Sequence, residues 1–394
     1  MEIHRDPTAL ARRRAAARTR PAGLFAAAFF FVLLMLAPWP VHGAPGPGPA
    51  GVILFVGDGM GPEHVRAGGM YLSGSEGTLS FESFPARAMV RTAGASPGPV
   101  DSAAAATAIA TGRKVYNGVV SLRLPGDGAP LVTMLEGFKS MGWATGLVTT
   151  TFVTHATPAA FGAHVADRHD YPSIASGYLT GSRPDVIFGG ALHLTRRQAR
   201  EAGYAVVEDL AGLLALDRDS ARPVCGLFAR GHMPYELDRG QGVPTLSEMT
   251  AAALDILAGD PEGFFLMVEG GRIDHASHAG DIRRAVAEVA EFSRAVETAV
   301  EWAEKNNGKG KTLIVVTADH ETGGLRVIEG RGPGKAPLAS WGSKGHTTVN
   351  VPLYARGPGA GEFGGVIESR DIHSIIMGLA GAGGGGGGVP PAGP

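Results

Sequence analysis

Short apolar runs recur along this chain, and a polar or glycine-rich turn follows each of them. The clearest runs cover residues 51–56, 143–150, 185–190, 264–268 and 312–317. Apolar runs of this length with many β-branched residues are typical of buried parallel strands. Segments of helical periodicity separate them, for example from Asp281 to Trp302. The alternation predicts an α/β fold: a three-layer sandwich with a mainly parallel central sheet and helices on both faces.

Residues 1–43 have the features of a secretory signal peptide. Their basic region contains Arg12, Arg13, Arg14, Arg18 and Arg20, an apolar core follows at residues 24–36, and small residues stand at Gly43 and Ala44. This core of about 13 residues is short for a membrane span, which needs about 20. The protein is therefore predicted to be exported, as a periplasmic or secreted protein. It would meet a membrane only if this segment is retained as an anchor.

Composition predicts one folded domain between two segments of low complexity. Residues 44–50 form a Pro/Gly linker, residues 51–380 contain no internal repeat or Gly/Ser linker, and residues 381–394 form a Gly/Pro tail that is predicted to be disordered. The 35 Lys and Arg nearly balance the 37 Asp and Glu, so bulk charge gives no basis for nucleic-acid binding. Cys225 is the only cysteine, and its apolar neighbours predict a buried small hydrophobic residue.

An alanine-rich stretch that follows Asp101 and Ser102 is strong helix-forming sequence. Because serine is a preferred N-cap, the Ser102 hydroxyl is expected at the positive end of this helix, beside unpaired backbone N–H groups. Such a place suits an anion, and a hydroxyl there can attack a phosphoryl or acyl centre. Taken alone, the pattern is more typical of a simple helix cap than of a catalytic serine.

Four of the predicted strands lead into side chains of the type that bind metals. These are Asp58, Thr157, Glu269 with Asp274 and His278, and Asp319 with His320, while His346 enters from a loop. Because the carboxyl ends of parallel strands meet at one edge of a sheet, these groups are expected to converge. Carboxylates and imidazoles without a thiolate suit Zn²⁺ and Mg²⁺, and the number of ligands predicts at least two ions.

Two cations beside a serine at a helix N-terminus are typical of phosphoryl transfer. Arg168 follows the Thr157 turn and could supply a bidentate fork to phosphoryl oxygens, whereas a surface ion pair is the alternative. Attack by an ionised hydroxyl predicts a rate that rises towards alkaline pH.

Six stretches together resemble the alkaline phosphatase family. They contain VGD58GMG, VD101S102AAAATA, TH155AT157PAA, VE269GGRID274HASH278, TAD319H320ETGG and GH346T, and they lie within residues 51–357. The resemblance implies hydrolysis of small phosphomonoesters through a phosphoserine on Ser102, with Asp101 and Arg168 at the phosphate. It implies one zinc ion on Asp274, His278 and His346, a second on Asp58, Asp319, His320 and Ser102, and magnesium on Asp58, Thr157 and Glu269. A homodimer is also implied.

Two departures from the family pattern bear on the site. His155 and His275 stand where one bacterial type carries Asp and Lys, behind the magnesium and phosphate sites. Histidine there leaves the third metal open between Mg²⁺, Zn²⁺ and Co²⁺. The segment between Gly324 and His346 is short, which predicts a small accessory crown and an open site.

Two other functions fit parts of this pattern. A phosphodiesterase or sulfatase-like hydrolase would share the metal ligands but normally uses threonine or a modified cysteine, where this chain has Ser102. A secreted metal-binding protein without catalysis would keep the ligands but would have no use for Ser102 and Arg168 together.

Overall fold

The structure is a computed structural model that describes residues 48–217, 223–306 and 311–383, all within one compact unit. The predicted signal peptide, most of the linker and the tail beyond residue 383 lie outside these ranges. Within the described ranges, no helix combines the length and apolar character needed to cross a membrane.

A mixed, mainly parallel sheet of ten strands forms the centre of the fold. The strands described in the chain are β1 (Gly51–Val56), β2 (Ala86–Arg91), β3 (Ala144–Phe152), β4 (Val186–Gly190), β5 (Ala205–Val207), β6 (Val224–Ala229), β7 (Phe264–Glu269), β8 (Thr312–Thr317), β9 (Glu321–Thr322), β10 (Leu325–Glu329), β11 (Leu338–Trp341), β12 (His346–Thr347), β13 (Val351–Arg356) and β14 (Gly365–Glu368). The order across the large sheet is β14-β2-β13-β8-β1-β7-β3-β4-β6-β5, and β13 runs antiparallel to both of its neighbours. The predicted fold class is confirmed.

Helices cover both faces of this sheet. The α-helices among the described residues are α1 (Pro62–Ser73), α2 (Ser102–Thr111), α3 (Met134–Ser140), α4 (Ala156–Gly162), α5 (Tyr171–Ser176), α6 (Arg196–Glu201), α7 (Leu210–Leu214), α8 (Leu246–Leu257), α9 (Arg272–His278), α10 (Ile282–Asn306) and α11 (Asp371–Gly383). Helices α1, α8, α9 and α10 pack together in one layer, and α2, α3, α4 and α11 pack together in the other. The central strands are therefore buried on both sides, which explains why their sequences are apolar throughout rather than alternating.

The register of the central strands brings their ends level. Val56 at the end of β1 pairs with Glu269 of β7 on one side and with Thr317 of β8 on the other. The residues just beyond these ends, which include Asp58 and Asp319, therefore meet at the carboxyl edge of the sheet.

The structure differs from the predicted elements at several places. The sequence pattern over residues 80–95 favours a single strand, but the structure has a 3₁₀ turn at Ser80–Ser83 followed by β2. Residues 195–245 show less regular periodicity in their sequence, yet they contain β5, β6 and short helices. Cys225 is buried within β6. The final helix continues to Gly383 and so includes the first residues of the predicted tail. The insert before His346 forms the small β10–β11 hairpin.

Candidate active site

The alanine-rich stretch folds as α2, with Ser102 as its first residue and Asp101 as its N-cap. Asp101 Oδ1 accepts a hydrogen bond from the Ala104 backbone N–H at 3.0 Å. The expectation that Ser102 caps the helix is wrong, because the carboxylate one residue earlier already binds the free N–H of the first turn. The Ser102 hydroxyl consequently lies at the positive end of the helix without being needed by its backbone.

We expect Asp101→Ala to lower the free energy of unfolding by about 1 kcal/mol relative to Asp101→Asn, because asparagine caps helices as well as aspartate does and alanine does not. Both variants lose the negative charge and the Oδ2 acceptor of Arg168 and of the Gly118 backbone N–H, while only asparagine keeps the Oδ1 acceptor, so their difference reports mainly on the cap. Urea denaturation measures it. Equal destabilisation by both substitutions would contradict the capping role.

A first group of candidate metal ligands surrounds the Ser102 hydroxyl. His320 Nε2 lies 3.2 Å from Ser102 Oγ, 3.2 Å from Asp319 Oδ2 and 3.5 Å from Asp58 Oδ1. All four side chains are buried. Single ligand atoms of Asp58, Asp319 and His320 lie within 4.8 Å of one another, a spacing that can hold a metal ion.

A second group adjoins the first. Asp274 Oδ1 lies 3.3 Å from His278 Nε2 and 3.6 Å from His346 Nε2, and these two nitrogens are 3.1 Å apart. The four-residue spacing places Asp274 and His278 on one face of α9, as their sequence positions predicted. His320 is also close enough to combine with Asp274 and His346. It therefore stands between the two groups, a position that the sequence did not indicate.

Hydrogen bonds at the other ring nitrogen orient the three imidazoles. His346 Nδ1 lies 2.7 Å from the Val100 carbonyl oxygen, and His278 Nδ1 contacts the carbonyl oxygen of Lys344. His320 Nδ1 lies 3.3 Å from Thr322 Oγ1, whose hydroxyl donates to Asp274 at 2.6 Å. In the neutral form of each ring, Nδ1 therefore carries the proton, and Nε2 presents a free electron pair to the carboxylates.

A third group forms behind Asp58. Ligand atoms of Asp58, Glu269 and His155 lie within 4.8 Å of one another. Glu269 Oε2 accepts hydrogen bonds from the hydroxyls of Thr149 and Thr151, while Oε1 has no partner. Thr157, on the first turn of α4, is buried at the same place. His155 was expected behind the metal site, but the structure includes its ring among the atoms that could bind the ion directly.

The buried oxygens of these groups test whether metal ions fit the site. Both carboxylate oxygens of Asp58, Oδ2 of Asp319 and Oε1 of Glu269 are buried without a hydrogen-bond partner among the described residues. An ionised carboxylate that is buried and unpaired is costly, and coordination to a cation removes that cost. Oxygen and imidazole donors without thiolate match Zn²⁺ and Mg²⁺, so the residues fit the ions that the sequence predicted.

Without metal ions, several of the candidate ligands have pKa values far from their ordinary ones. Burial, reinforced by neighbouring carboxylates, raises the pKa of Asp58 well above its usual range, and it raises the pKa of Asp319 to about 6 and of Glu269 to about 7. Burial lowers the pKa of His320 to about 4. The hydrogen bond to Asp274 raises the pKa of His278 to about 9. Asp58, Asp319 and Glu269 therefore hold their protons to a higher pH than free carboxyl groups do, and a divalent ion would displace those protons.

Glu321 fixes the segment that carries His346. This segment is β12, which pairs with β9 through only two residues. The buried Glu321 carboxylate accepts the Gly324 N–H and the Leu325 N–H, both at 3.2 Å, and the hydroxyl of Thr347. These three bonds tie the turn after β9 to the residue next to His346.

We expect Glu321→Gln to weaken zinc binding about 10- to 100-fold, because an amide has one acceptor oxygen for three donors and the support of a metal ligand has effects of this size. Equilibrium competition with a chromogenic chelator measures the affinity. Glu329→Gln, on an exposed position of β10, is the matched control and should bind zinc as the wild type does. Unchanged affinity in Glu321→Gln would show that the backbone pairing alone holds His346.

Arg168 lies beside these groups and is anchored at both ends of its guanidinium. Nη1 donates to Asp101 Oδ2 at 3.0 Å, and Nη2 lies 3.4 Å from His155 Nε2. Its ion pair is therefore inside the site rather than on a distant surface, because Asp101 is adjacent to Ser102. His155 in turn packs against the rings of His275 and His232, each with a centroid distance of 5.5 Å.

His232 is a neighbour of the site that the sequence pattern does not single out. Its ring lies 4.5 Å from that of His275. It follows the end of β6 by three residues, so the rule that ligand residues follow strand ends would have selected it. That signal was missed because β6 itself was not predicted.

Fold and donor groups together define a metal-dependent hydrolase built on a three-layer α/β sandwich. The family model for alkaline phosphatase matches residues 50–338. Alkaline phosphatase 3 of Bacillus subtilis is 39% identical over 70% of this chain, and the match spans 62% of that relative's length. Alkaline phosphatase 4 of the same organism is 31% identical over 84% of this chain and 89% of the relative. This chain belongs to the alkaline phosphatase family.

Solved structures agree with this assignment. A cold-active alkaline phosphatase from the psychrophile Shewanella sp. is 30% identical, with a TM-score of 0.75 over 84% of this chain and 99% of the other. A histidine-to-aspartate variant of alkaline phosphatase TAB5 is 27% identical, with a TM-score of 0.74 over 85% of this chain and 99% of the other. That variant has Mg bound in a site designated M3.

Proposed function

We propose that this chain hydrolyses phosphomonoesters through a phosphoserine on Ser102. The observation that carries the proposal is the position of the Ser102 hydroxyl. It lies at the N-terminus of α2, 3.2 Å from His320 in a group of candidate metal ligands, and next to Asp101, which holds Arg168. A nucleophile, a positive helix end and a guanidinium fork thus meet where a phosphoryl group would bind.

The chemistry runs in two displacements at phosphorus. Ser102 Oγ forms a bond to phosphorus while the ester P–O bond breaks, and the alcohol leaves with a proton. A water oxygen then forms a bond to phosphorus as the bond to Ser102 Oγ breaks. This releases inorganic phosphate and returns the hydroxyl. The net reaction consumes one water and gives one alcohol and one phosphate.

Arg168 and Asp101 orient the phosphoryl group during both displacements. The guanidinium presents parallel N–H donors to the non-bridging oxygens, which lysine could not match. Asp101 restricts the rotation of Arg168 through the 3.0 Å ion pair while it also caps α2. The pair therefore fixes the phosphate relative to the Ser102 hydroxyl.

Three metal ions fit the donor groups of this proposal. One zinc ion would be held by Asp274, His278 and His346. A second would be held by Asp58, Asp319 and His320 together with Ser102. A third ion would be held by Asp58, Thr157 and Glu269. When bound, such ions supply positive charge that stabilises the anionic oxygens of phosphoryl transfer. His155 lies among the third donors, and imidazole favours Zn²⁺ or Co²⁺ over Mg²⁺.

Export and assembly complete the proposal. The signal-like sequence of residues 1–43 supports a periplasmic or secreted protein, and the family resemblance supports a homodimer. Small phosphomonoesters are the proposed substrates, and His275 is proposed to lie behind the magnesium and phosphate sites rather than to bind a metal ion.

Hydrolysis of an aryl phosphate by the purified chain tests the proposal, before and after chelation and with Zn²⁺ and Mg²⁺ restored separately. We expect activity that chelation removes and zinc restores, and that rises with pH. An aryl phosphodiester and an aryl sulfate serve as matched substrates. Faster hydrolysis of either one than of the monoester would contradict the proposed reaction.

A further inference from the structure

A band of arginine and histidine side chains extends away from Arg168 at the proposed phosphate site. It begins at Arg168, continues through His155 to the adjoining rings of His232 and His275, and ends at Arg272, whose Nη1 lies 2.7 Å from His275 Nδ1. All five side chains are partly exposed at their position beside the site. The proposed reaction uses only the first part of this band.

The hydrogen bonds of His232 and His275 leave each ring with one free N–H donor. His275 Nδ1 accepts from Arg272, since a guanidinium can only donate, and His232 Nδ1 accepts the Phe152 backbone N–H at 3.3 Å. In both rings the proton therefore lies on Nε2. Two imidazole N–H groups and a guanidinium thus stand together, and all of them are suited to an anion.

Arg272 forms no ion pair with a carboxylate in the described part of the chain. Its Nε is buried without a hydrogen-bond partner, and its guanidinium lies over the Tyr235 ring at 3.8 Å. Glu288 acts on it electrostatically, but that carboxylate accepts the Glu236 N–H at 2.7 Å. A partly buried arginine without a paired carboxylate retains the capacity to bind an anionic group.

Arg284 is a neighbouring arginine whose guanidinium is paired with carboxylates. It lies 5.0 Å from the same Tyr235 ring, but its guanidinium contacts Asp238 at 2.9 Å and Asp281 at 2.8 Å. Two arginines therefore share one aromatic ring, and only Arg272 faces the histidines beside the site without a carboxylate partner.

We propose that His232, His275 and Arg272 form a second anion subsite, which binds the non-transferred phosphate of an organic diphosphate while its terminal phosphate reacts at Ser102. This inference rests on the proposed phosphatase function and names a substrate class for it. A monoester whose leaving group carries no charge would not contact the subsite. The subsite therefore favours diphosphates over such monoesters but is not required for hydrolysis.

Adenosine 5′-diphosphate and adenosine 5′-monophosphate test the subsite, since both carry the same nucleoside and only the first retains a phosphate on its leaving group. Initial rates of phosphate release give kcat/KM for each substrate. We expect Arg272→Met to lower kcat/KM for the diphosphate about tenfold more than for the monophosphate, the scale of one lost charge-assisted hydrogen bond. Arg284→Met is the matched control and should leave the ratio of the two constants unchanged.

Arg272→Gln, which keeps hydrogen-bonding capacity without charge, provides a second variant if Arg272→Met does not fold, and the same selective loss is expected. An equal fall for both substrates would overturn the subsite, because it would make Arg272 a support for His275 only. An unchanged ratio would overturn it as well. Failure of the wild type to hydrolyse the monophosphate would instead contradict the proposed function, so the two failures are distinguishable.

Discussion

Ser102→Ala is expected to lower kcat for an aryl phosphate by on the order of 10⁴-fold or more, because it removes the nucleophile of the proposed reaction. The buried Ser102 side chain is small and its hydroxyl does not cap α2. The substitution should therefore leave the fold intact, and the remaining ligands Asp58, Asp319 and His320 should keep the second zinc ion in place. Initial rates and metal analysis of the same preparation measure both.

Ser83→Ala is the matched control, since Ser83 is an exposed serine whose hydroxyl contacts only the Ser80 carbonyl. It should be as active as the wild type. Acid quenching during turnover, followed by peptide mass spectrometry, should detect phosphate on Ser102 in the wild type only. Retention of more than about one hundredth of the activity in Ser102→Ala would assign the nucleophile to another group, such as water.

Removal of the metal ions is expected to cause the largest loss of stability. Ligands that bind only the folded state stabilise it by mass action, by about 4 kcal/mol at a thousandfold excess over the dissociation constant. Without ions, the buried oxygens of Asp58, Asp319 and Glu269 lack partners. We therefore expect chelation to lower the melting temperature and added zinc to restore it, as measured by calorimetry.

The metal-free protein should also lose stability as the pH rises from about 7 to about 9. The hydrogen bond to Asp274 raises the folded-state pKa of His278 to about 9, and burial raises that of Asp58 well above its usual range. A pKa that is higher in the folded state gives stability at low pH, which is lost as the pH rises through that value. Below about pH 6.5, buried neutral histidines such as His320 act in the opposite sense.

Comparing the metal-free with the metal-loaded protein separates the pH dependence that comes from the metal ligands from the pH dependence of the rest of the chain. Burial raises the pKa of Glu288 to about 8, and this residue lies outside the donor groups, so it contributes the same slope to both forms. The difference between the two melting curves across pH therefore reports on the donor groups. Equal slopes would contradict the assignment of these carboxylates to the metal ions.

Sequence alone determined the layout of the fold and the edge where the site lies. Buried parallel strands are uniformly apolar, so runs such as residues 51–56 and 312–317 are visible as strands without any neighbours. Once strands are parallel, their carboxyl ends share one edge, and residues just beyond them, such as Asp58 and Asp319, must converge. The spacing of Asp274 and His278 is likewise a local property of one helical turn.

Only the tertiary structure decided which side chains contact one another and which backbone groups they bind. Asp101 rather than Ser102 caps α2 because its carboxylate reaches the Ala104 N–H. His155 joins Asp58 and Glu269, and His232 meets His275, through packing of segments that lie far apart in the chain. Such contacts depend on distances of a few ångströms between distant residues, which no local pattern of polarity or periodicity encodes.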